Sequence, residues 1–414
     1  MKFKDFIFLK KDEKKHTVFI IFGLKLKIRK GPNIFKYKGK EKHYDVGIIS
    51  FNMNTEYSNF GAALHSYAFQ KYLDKHGVNS VIINYSRLHF YYEQVKINLI
   101  NYIKDKNYFE LIQYLKVLIN GAIKQYKFDN FFYKNCRVTK YQYNIDTLPL
   151  LKKINRFVCE TDVTFSTIRG KYDRAFLCDL PNMKKKDNIA YSVDFGSGEL
   201  SDGKRKSLKK YAKNFKYISI RNVFKLDYFK NVIERDDVVI TIDPVFLLNK
   251  EDYLKVTKVP KIKEDYLLVY NCKENHPAML EKAKIYAEQN NLKLVEIHCY
   301  DKNIISYNDN NPTPIGIEEF LGYIKNSKCV FTNSYHGLCF SIIYQVPFFA
   351  FSRVANNEKI LTILELFDLH NRFVANNIPN NVINWEKVNS RLLSLRKDSE
   401  EFIQKTIIDN KERI

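Results

Sequence analysis

Polar, chemically capable side chains stand at four places where an apolar run gives way to a turn. These are Asn59-Phe60-Gly61-Ala62-Ala63, Thr161-Asp162, Ser219-Ile220-Arg221 and Ser334-Tyr335-His336-Gly337. After Asn59, the small residues Gly61 and Ala62 let an anion approach the free N–H groups of a helix start, whose partial positive charge favours it. Close helix–sheet packing would use the same residues. Arg221 ends an apolar run, and a planar guanidinium there suits two-pronged gripping of a phosphate or carboxylate. An ion pair with a nearby Asp or Glu is the plainer use. Ser334 is of the type that caps a helix, and Gly337 permits close backbone approach. Neither needs His336. A cationic imidazole is disfavoured at a helix N-terminus, so His336 is expected to be largely neutral at pH 7, able to take a proton or hydrogen-bond an anion.

His65, His76 and His298 read as ordinary histidines. The sequence contains no H-E-x-x-H and no G-x-x-x-x-G-K-[ST], so neither a dedicated metal site nor a cofactor is expected.

The elements that position these residues alternate between strand and helix. Strands are expected at 45–51, 80–85, 156–162, 188–196, 216–222 and 238–244, with an amphipathic helix at 59–77. Lysine-rich helices are expected over 90–135. After the connector 251–265 a second series follows, with strands at 266–271, 292–298, 329–333 and 347–351. Its helices are expected at about 276–290, 317–326 and 335–344. Such units imply parallel sheets. The fold class is therefore α/β, with two Rossmann-like domains facing across a cleft in a glycosyltransferase-B-like way and a short basic N-terminal arm. The divisions are an arm at 1–42, a first domain at 43–250 with a helical insertion at 90–150, a second at 251–384 and a helical tail at 385–414. Ligands in such sheets bind beyond the carboxyl ends of the strands, where all four turns fall.

The chain has 414 residues and a net charge of +22, of which residues 1–42 supply +10 through fourteen Lys/Arg against four Asp/Glu. No nucleic-acid-binding module accompanies the charge, and nucleic acid is not an expected partner. Within the arm, apolar and basic residues alternate from Gly23 to Lys30, as in a strand with one cationic face. That face suits either solvent or anionic lipid headgroups. The apolar run Thr17–Leu24 is far short of the ~20 residues that span a bilayer. Seven dispersed cysteines argue for a reducing cytoplasm.

The ordered set of motifs resembles the polysaccharide pyruvyl transferase family. "NFGAALHSYAF" is similar to its N-[YF]-G-A-x-L-x-x-[YF]-A start, "SIRN" to its S-x-R-[DEN] segment and "DPVFLL" to its D-P-[TV]-x-L-L segment. "TNSYHGLCFSIIYQVPF" resembles its T-[DN]-S-[FY]-H-G signature, and "NNEKILTILE" its N-x-R-I-x-x-L-L, with Lys359 where arginine is usual. Where the family commonly shows G-S-D-Q-x-W, this chain has Glu160-Thr161-Asp162-Val163-Thr164-Phe165. The resemblance implies pyruvyl transfer from phosphoenolpyruvate to a sugar, with a cyclic ketal as product and a lipid-linked acceptor among the candidates. It makes His336 the expected acid/base or phosphate partner and Arg221 the expected anion clamp. Asn59, Gly61, Ala62, Ser334, Tyr335 and Gly337 would bind substrate, and Asp162 would orient an acceptor hydroxyl. It also moves the arm toward membrane contact, placing the protein in the cytoplasm or peripherally on the inner face of the plasma membrane. A nucleotide-sugar glycosyltransferase and a non-catalytic family member are the alternative readings.

Overall fold

A computed structural model describes residues 8–12, 16–21, 24–29, 43–52, 58–85, 98–139, 149–168, 170–184, 186–196, 198–272, 276–298, 314–353, 357–380 and 382–410. Parts of the expected arm and insertion, including 30–42 and 90–97, lie outside them. In the arm, β1 (Phe8–Asp12), β2 (His16–Ile21) and β3 (Leu24–Arg29) form an antiparallel meander, in keeping with its period-two pattern.

The first α/β unit comprises β4 (Tyr44–Ile49), α1 (Phe60–Lys75), β5 (Ser80–Ile82), α2 (Tyr108–Asn135) and β6 (Ile154–Glu160). A small hairpin, β7 (Thr167–Ile168) and β8 (Lys171–Tyr172), precedes β9 (Asn188–Val193), α3 (Asp202–Ala212), β10 (Phe215–Ile220), α4 (Leu226–Ile233), β11 (Val239–Ile240) and α5 (Lys250–Leu254). The six main strands are parallel in the order β11-β10-β9-β6-β4-β5. Central in the sheet, β4, β6 and β9 are buried along most of their length around apolar runs at 46–49, 157–159 and 189–191, as central parallel strands are.

The second unit holds β12 (Tyr266–Asn271), α6 (Pro277–Gln289), β13 (Lys293–His298), α7 (Ile317–Asn326), β14 (Cys329–Thr332), α8 (Tyr335–Tyr344), β15 (Phe348–Ala350) and α9 (Asn357–Leu366). Its parallel sheet runs β13-β12-β14-β15. The chain thus has the two-domain α/β class that the sequence predicts.

One apolar cluster joins the units. Phe60, at the first turn of α1, stacks on Phe320 of α7 with ring centroids 4.4 Å apart and meets Tyr270 of β12 edge-on at 6.2 Å. Tyr67 of α1 approaches Tyr253 of α5. Helix α10 (Trp385–Ile403) returns to the first unit. Ser399 Oγ accepts from the Ile242 amide at 3.0 Å, and Arg396 Nε donates to the Phe246 carbonyl at 2.6 Å. Arg156 of β6 donates to the Thr406 carbonyl just beyond that helix. The helical tail is therefore a strap across the first unit, because its polar side chains complete backbone groups that no strand reaches.

Candidate active site

Each sheet reverses its strand order once, between β4 and β6 in the first and between β12 and β14 in the second. The crevice outside such a reversal is where open α/β sheets bind ligands. The start of α1 and the 160–162 turn stand at the first reversal, and the 333–337 turn at the second. All four sequence-predicted turns meet there, because the joint brings the two carboxyl edges together.

Arg221 is their hub. Only 2% exposed, it donates from Nη1 to Asp243 Oδ2 at 3.0 Å and from Nη2 to Asp194 Oδ2 at 3.2 Å and Asp162 Oδ1 at 3.3 Å. Its Nε adds a bond to Asp194 at 3.3 Å, and its Cζ lies 4.7 Å from the centroid of the Tyr335 ring, in cation–π contact. Lys359 Nζ donates to Asp162 Oδ1 at 3.1 Å and lies 4.0 Å from Asp194. Burial alone would raise these carboxyl pKa values. Lys359 and Arg221 hold Asp162 and Asp194 below the usual range, and His336 with Arg221 does the same for Asp243. Three carboxylates take the fork of Arg221, the residue expected as an anion clamp, so in this structure it is an internal ion-pair centre.

The turn bearing Asp162 is strained. Thr161 and Asp162 have φ of 25° and 57°, and Asp162 has ψ of −172°, a region that side chains rarely enter. The strain persists because Asp162 is pinned by Arg221, Lys359 and the Val163 amide.

His336, 8% exposed, opens α8. Its Nε2 lies 3.5 Å from Asp243 Oδ2 yet makes no hydrogen bond among the described residues. Burial drives its pKa down and outweighs the opposing pull of Asp243. The neutral imidazole expected from the sequence thus has burial as its main cause. Ser334 caps α8 by accepting from the Gly337 amide at 3.3 Å. Gly337 makes room for the protein itself, since a Cβ there would fall 2.7 Å from Thr332 Oγ1 and 2.9 Å from Tyr270. Gly61 does the same, as its Cβ would overlap the His336 ring. The Gly61 and Ala62 amides of the anion cradle expected at Asn59, Gly61 and Ala62 have a partner within the protein. Asn59 Oδ1 accepts from the Gly61 amide at 2.9 Å and the Ala62 amide at 3.4 Å, so the cap occupies those donors.

Four participants escaped sequence reasoning. Asp194 ends a strand segment that gave no signal beyond polarity, and Asp243 opens the DPVFLL segment without being singled out for a role. Arg353 follows β15 at the same carboxyl edge, and its buried Nε makes no hydrogen bond among the described residues. His65, read as ordinary, is fully buried beside His336, with ring centroids 6.0 Å apart. No local signal marked it, since its partner Glu160 lies 95 residues away along the chain.

Residues 59–353 match the family described as polysaccharide pyruvyl transferase. No curated protein matches the sequence. Similar solved structures include UDP-GlcNAc 2-epimerase from Methanocaldococcus jannaschii, at 12% identity over 84% of this chain and 91% of that one, with a TM-score of 0.43. The wall teichoic acid polymerase TagF is similar at 12% identity over 90% of each chain, with a TM-score of 0.44. UDP-N-acetylglucosamine 2-epimerase from Rickettsia bellii is similar at 9% identity over 88% of this chain and 99% of that one, with a TM-score of 0.40.

Proposed function

This chain belongs to the polysaccharide pyruvyl transferase family, and from that premise we propose that it moves the pyruvyl group of phosphoenolpyruvate onto a sugar of a bacterial surface polysaccharide or its precursor, closing a cyclic ketal. The observation that carries the reading is His336, a buried, neutral imidazole at the meeting of both strand-order reversals, with Nε2 free of hydrogen bonds among the described residues.

The reaction has three demands. A proton must reach the methylene carbon of the donor, which leaves an oxocarbenium centre at the neighbouring carbon. A sugar hydroxyl attacks that carbon and gives up its proton. The carbon–oxygen bond to phosphate then breaks, and a second hydroxyl closes the ring with loss of its own proton. A neutral His336 suits acceptance of a hydroxyl proton, and Asp243 beside it would stabilise the imidazolium that results. Asp162, fixed by Arg221 and Lys359, is the candidate for orienting an acceptor hydroxyl. Since Arg221 is saturated, the candidate cation for the donor's phosphate or carboxylate is Arg353, whose fork keeps an unused donor. In this reading the basic arm at 1–42 rests on anionic headgroups at the inner face of the plasma membrane and brings the cleft near a lipid-linked acceptor. No helix among the described residues is long and apolar enough to cross a membrane.

The test is incubation with phosphoenolpyruvate and a panel of nucleotide-linked and lipid-linked sugars. Mass spectrometry should detect a pyruvyl ketal with stoichiometric phosphate release. His336→Asn should slow turnover by about 10²-fold or more, the usual worth of an acid/base group, and Arg353→Met should raise the KM for phosphoenolpyruvate. Release of nucleotide from a sugar donor, with no phosphate from phosphoenolpyruvate, would replace the proposal with glycosyl transfer.

A further inference from the structure

Glu160 closes β6 where the resembling family segment carries glycine, and its side chain is wholly buried. Its Oε1 accepts from Ser66 Oγ at 2.6 Å and pairs with His65 Nδ1 at 2.8 Å. A carboxylate at that distance keeps the proton on Nδ1, so the imidazole donates. His65 and Ser66 are consecutive residues of α1, both fully buried. Packing a helix on a sheet does not call for such a group, because apolar side chains would do it without the cost of burying charge. His65 Nε2 and Glu160 Oε2 make no hydrogen bonds among the described residues, and neither does His336 Nε2. Unpaired buried polar atoms of this kind mark places where structure alone is not the explanation.

We propose that Glu160 and His65 form a buried positioning dyad for His336, in which Glu160 fixes the His65 ring and His65 sets how readily His336 takes up a proton. The rings are tilted by 33° with centroids 6.0 Å apart, and His65 is too buried to meet a substrate itself. It therefore acts through His336. Burial pushes both rings toward the neutral form, but Glu160 overcomes it at His65 and raises that pKa, while His336 remains lowered. Two groups pushed apart in this way divide acid from base roles. Among the described residues, the charged and titratable groups facing His336 are Asp243 after β11, which Arg221 also pairs, His65 from α1, Asp162 after β6 and Tyr335 from its own helix. Of the two cations here, Arg221 is spent on its carboxylates, and His65 is the one that titrates.

The role assigned to His336 rests on the pyruvyl-transfer reading, but the coupling between the rings does not. The full-length protein, labelled with carbon-13 histidine, would be titrated by NMR, with the His336 resonance assigned through His336→Asn. In His65→Gln the cationic neighbour is lost, and the His336 pKa should rise by about one unit or more. In Glu160→Gln, which keeps the shape of the carboxylate and one acceptor, the His65 titration itself should fall. An unchanged His336 titration in folded His65→Gln overturns the proposal. Should that variant not fold, an unchanged His65 titration in Glu160→Gln overturns it instead. The pH profile of phosphate release should move with the ring titration. If the rings are coupled while the unaltered protein releases no phosphate from phosphoenolpyruvate, the transfer reading fails and the dyad stands.

Discussion

Gly61 and His336 share one contact across the joint between the two sheets: the imidazole lies over the α carbon of Gly61, in the space a Cβ would fill. The glycine at the start of α1 is thus a seat for the histidine that opens α8. The two helices come from different α/β units, so the position of His336 depends on how the units are joined.

Replacing Gly61 with alanine should therefore act as a displacement of His336. Overpacking a buried contact costs about 1–3 kcal/mol, which urea unfolding would detect. Turnover should fall much further, by about 10²-fold, because a misplaced acid/base group loses most of its effect. A variant that is less stable yet equally active would separate His336 from the chemistry.

Arg221→Met should be among the most damaging single changes in the chain. It would leave Asp162 and Asp194 with Lys359 as their close cation among the described residues, and Asp243 beside a neutral His336; removing one partner from a buried ion cluster costs about 3–5 kcal/mol. Arg221→Lys should restore little, because one ammonium cannot match the fork that reaches three carboxylates. Thermal unfolding of the two variants beside the parent would check both statements.

Acid should weaken the protein through the same cluster. Asp162, Asp194 and Asp243 titrate below their ordinary value of 3.8 when folded. Their stabilisation is complete above the unfolded value and is lost as pH falls through it toward the folded ones. Unfolding free energy should hold level as pH falls to about 5 as far as these groups are concerned, then decline steeply. At higher pH the two buried histidines oppose each other: His336, lowered from 6.5, loses stability as pH falls through that value, while His65, raised above it, gains stability as pH falls toward it. Urea midpoints measured from pH 7 to pH 3 would locate the steep carboxylate phase.

Deleting residues 1–42 removes ten net positive charges. At about 1 kcal/mol for each Lys/Arg near an anionic surface, sedimentation with phosphatidylserine-containing vesicles should fall sharply, while ketal formation on a soluble acceptor should persist. Salt should abolish the difference, since screening shortens the reach of exposed charge. Equal sedimentation of the full and shortened chains would remove the arm from any membrane role.

Much of the fold was legible because strand and helix leave different periods in a sequence. The βα alternation placed β12 at 266–271 and α7 at 317–326 at the observed bounds, and most other elements within a few residues. Arg221 and His336 were legible as unusual residues because each ends or opens an apolar run, and Ser334 as a cap because its type and place are local matters. Local sequence could not tell what Arg221 would touch. Asp162, Asp194 and Asp243 lie 59, 27 and 22 residues from it along the chain, and only the ordering of β6, β9, β10 and β11 in one sheet gathers them.

By itself, then, the sequence determined the elements, the strand ends that carry polar residues, and the family, since these depend on residues near one another in the chain. The tertiary structure decided which groups remain free. It closed Arg221 with carboxylates, used Gly61 to seat His336, and turned His65 from an ordinary helix residue into the neighbour of His336. The physical reason is that charge and burial are properties of a place, and that place exists only once two distant sheets have met.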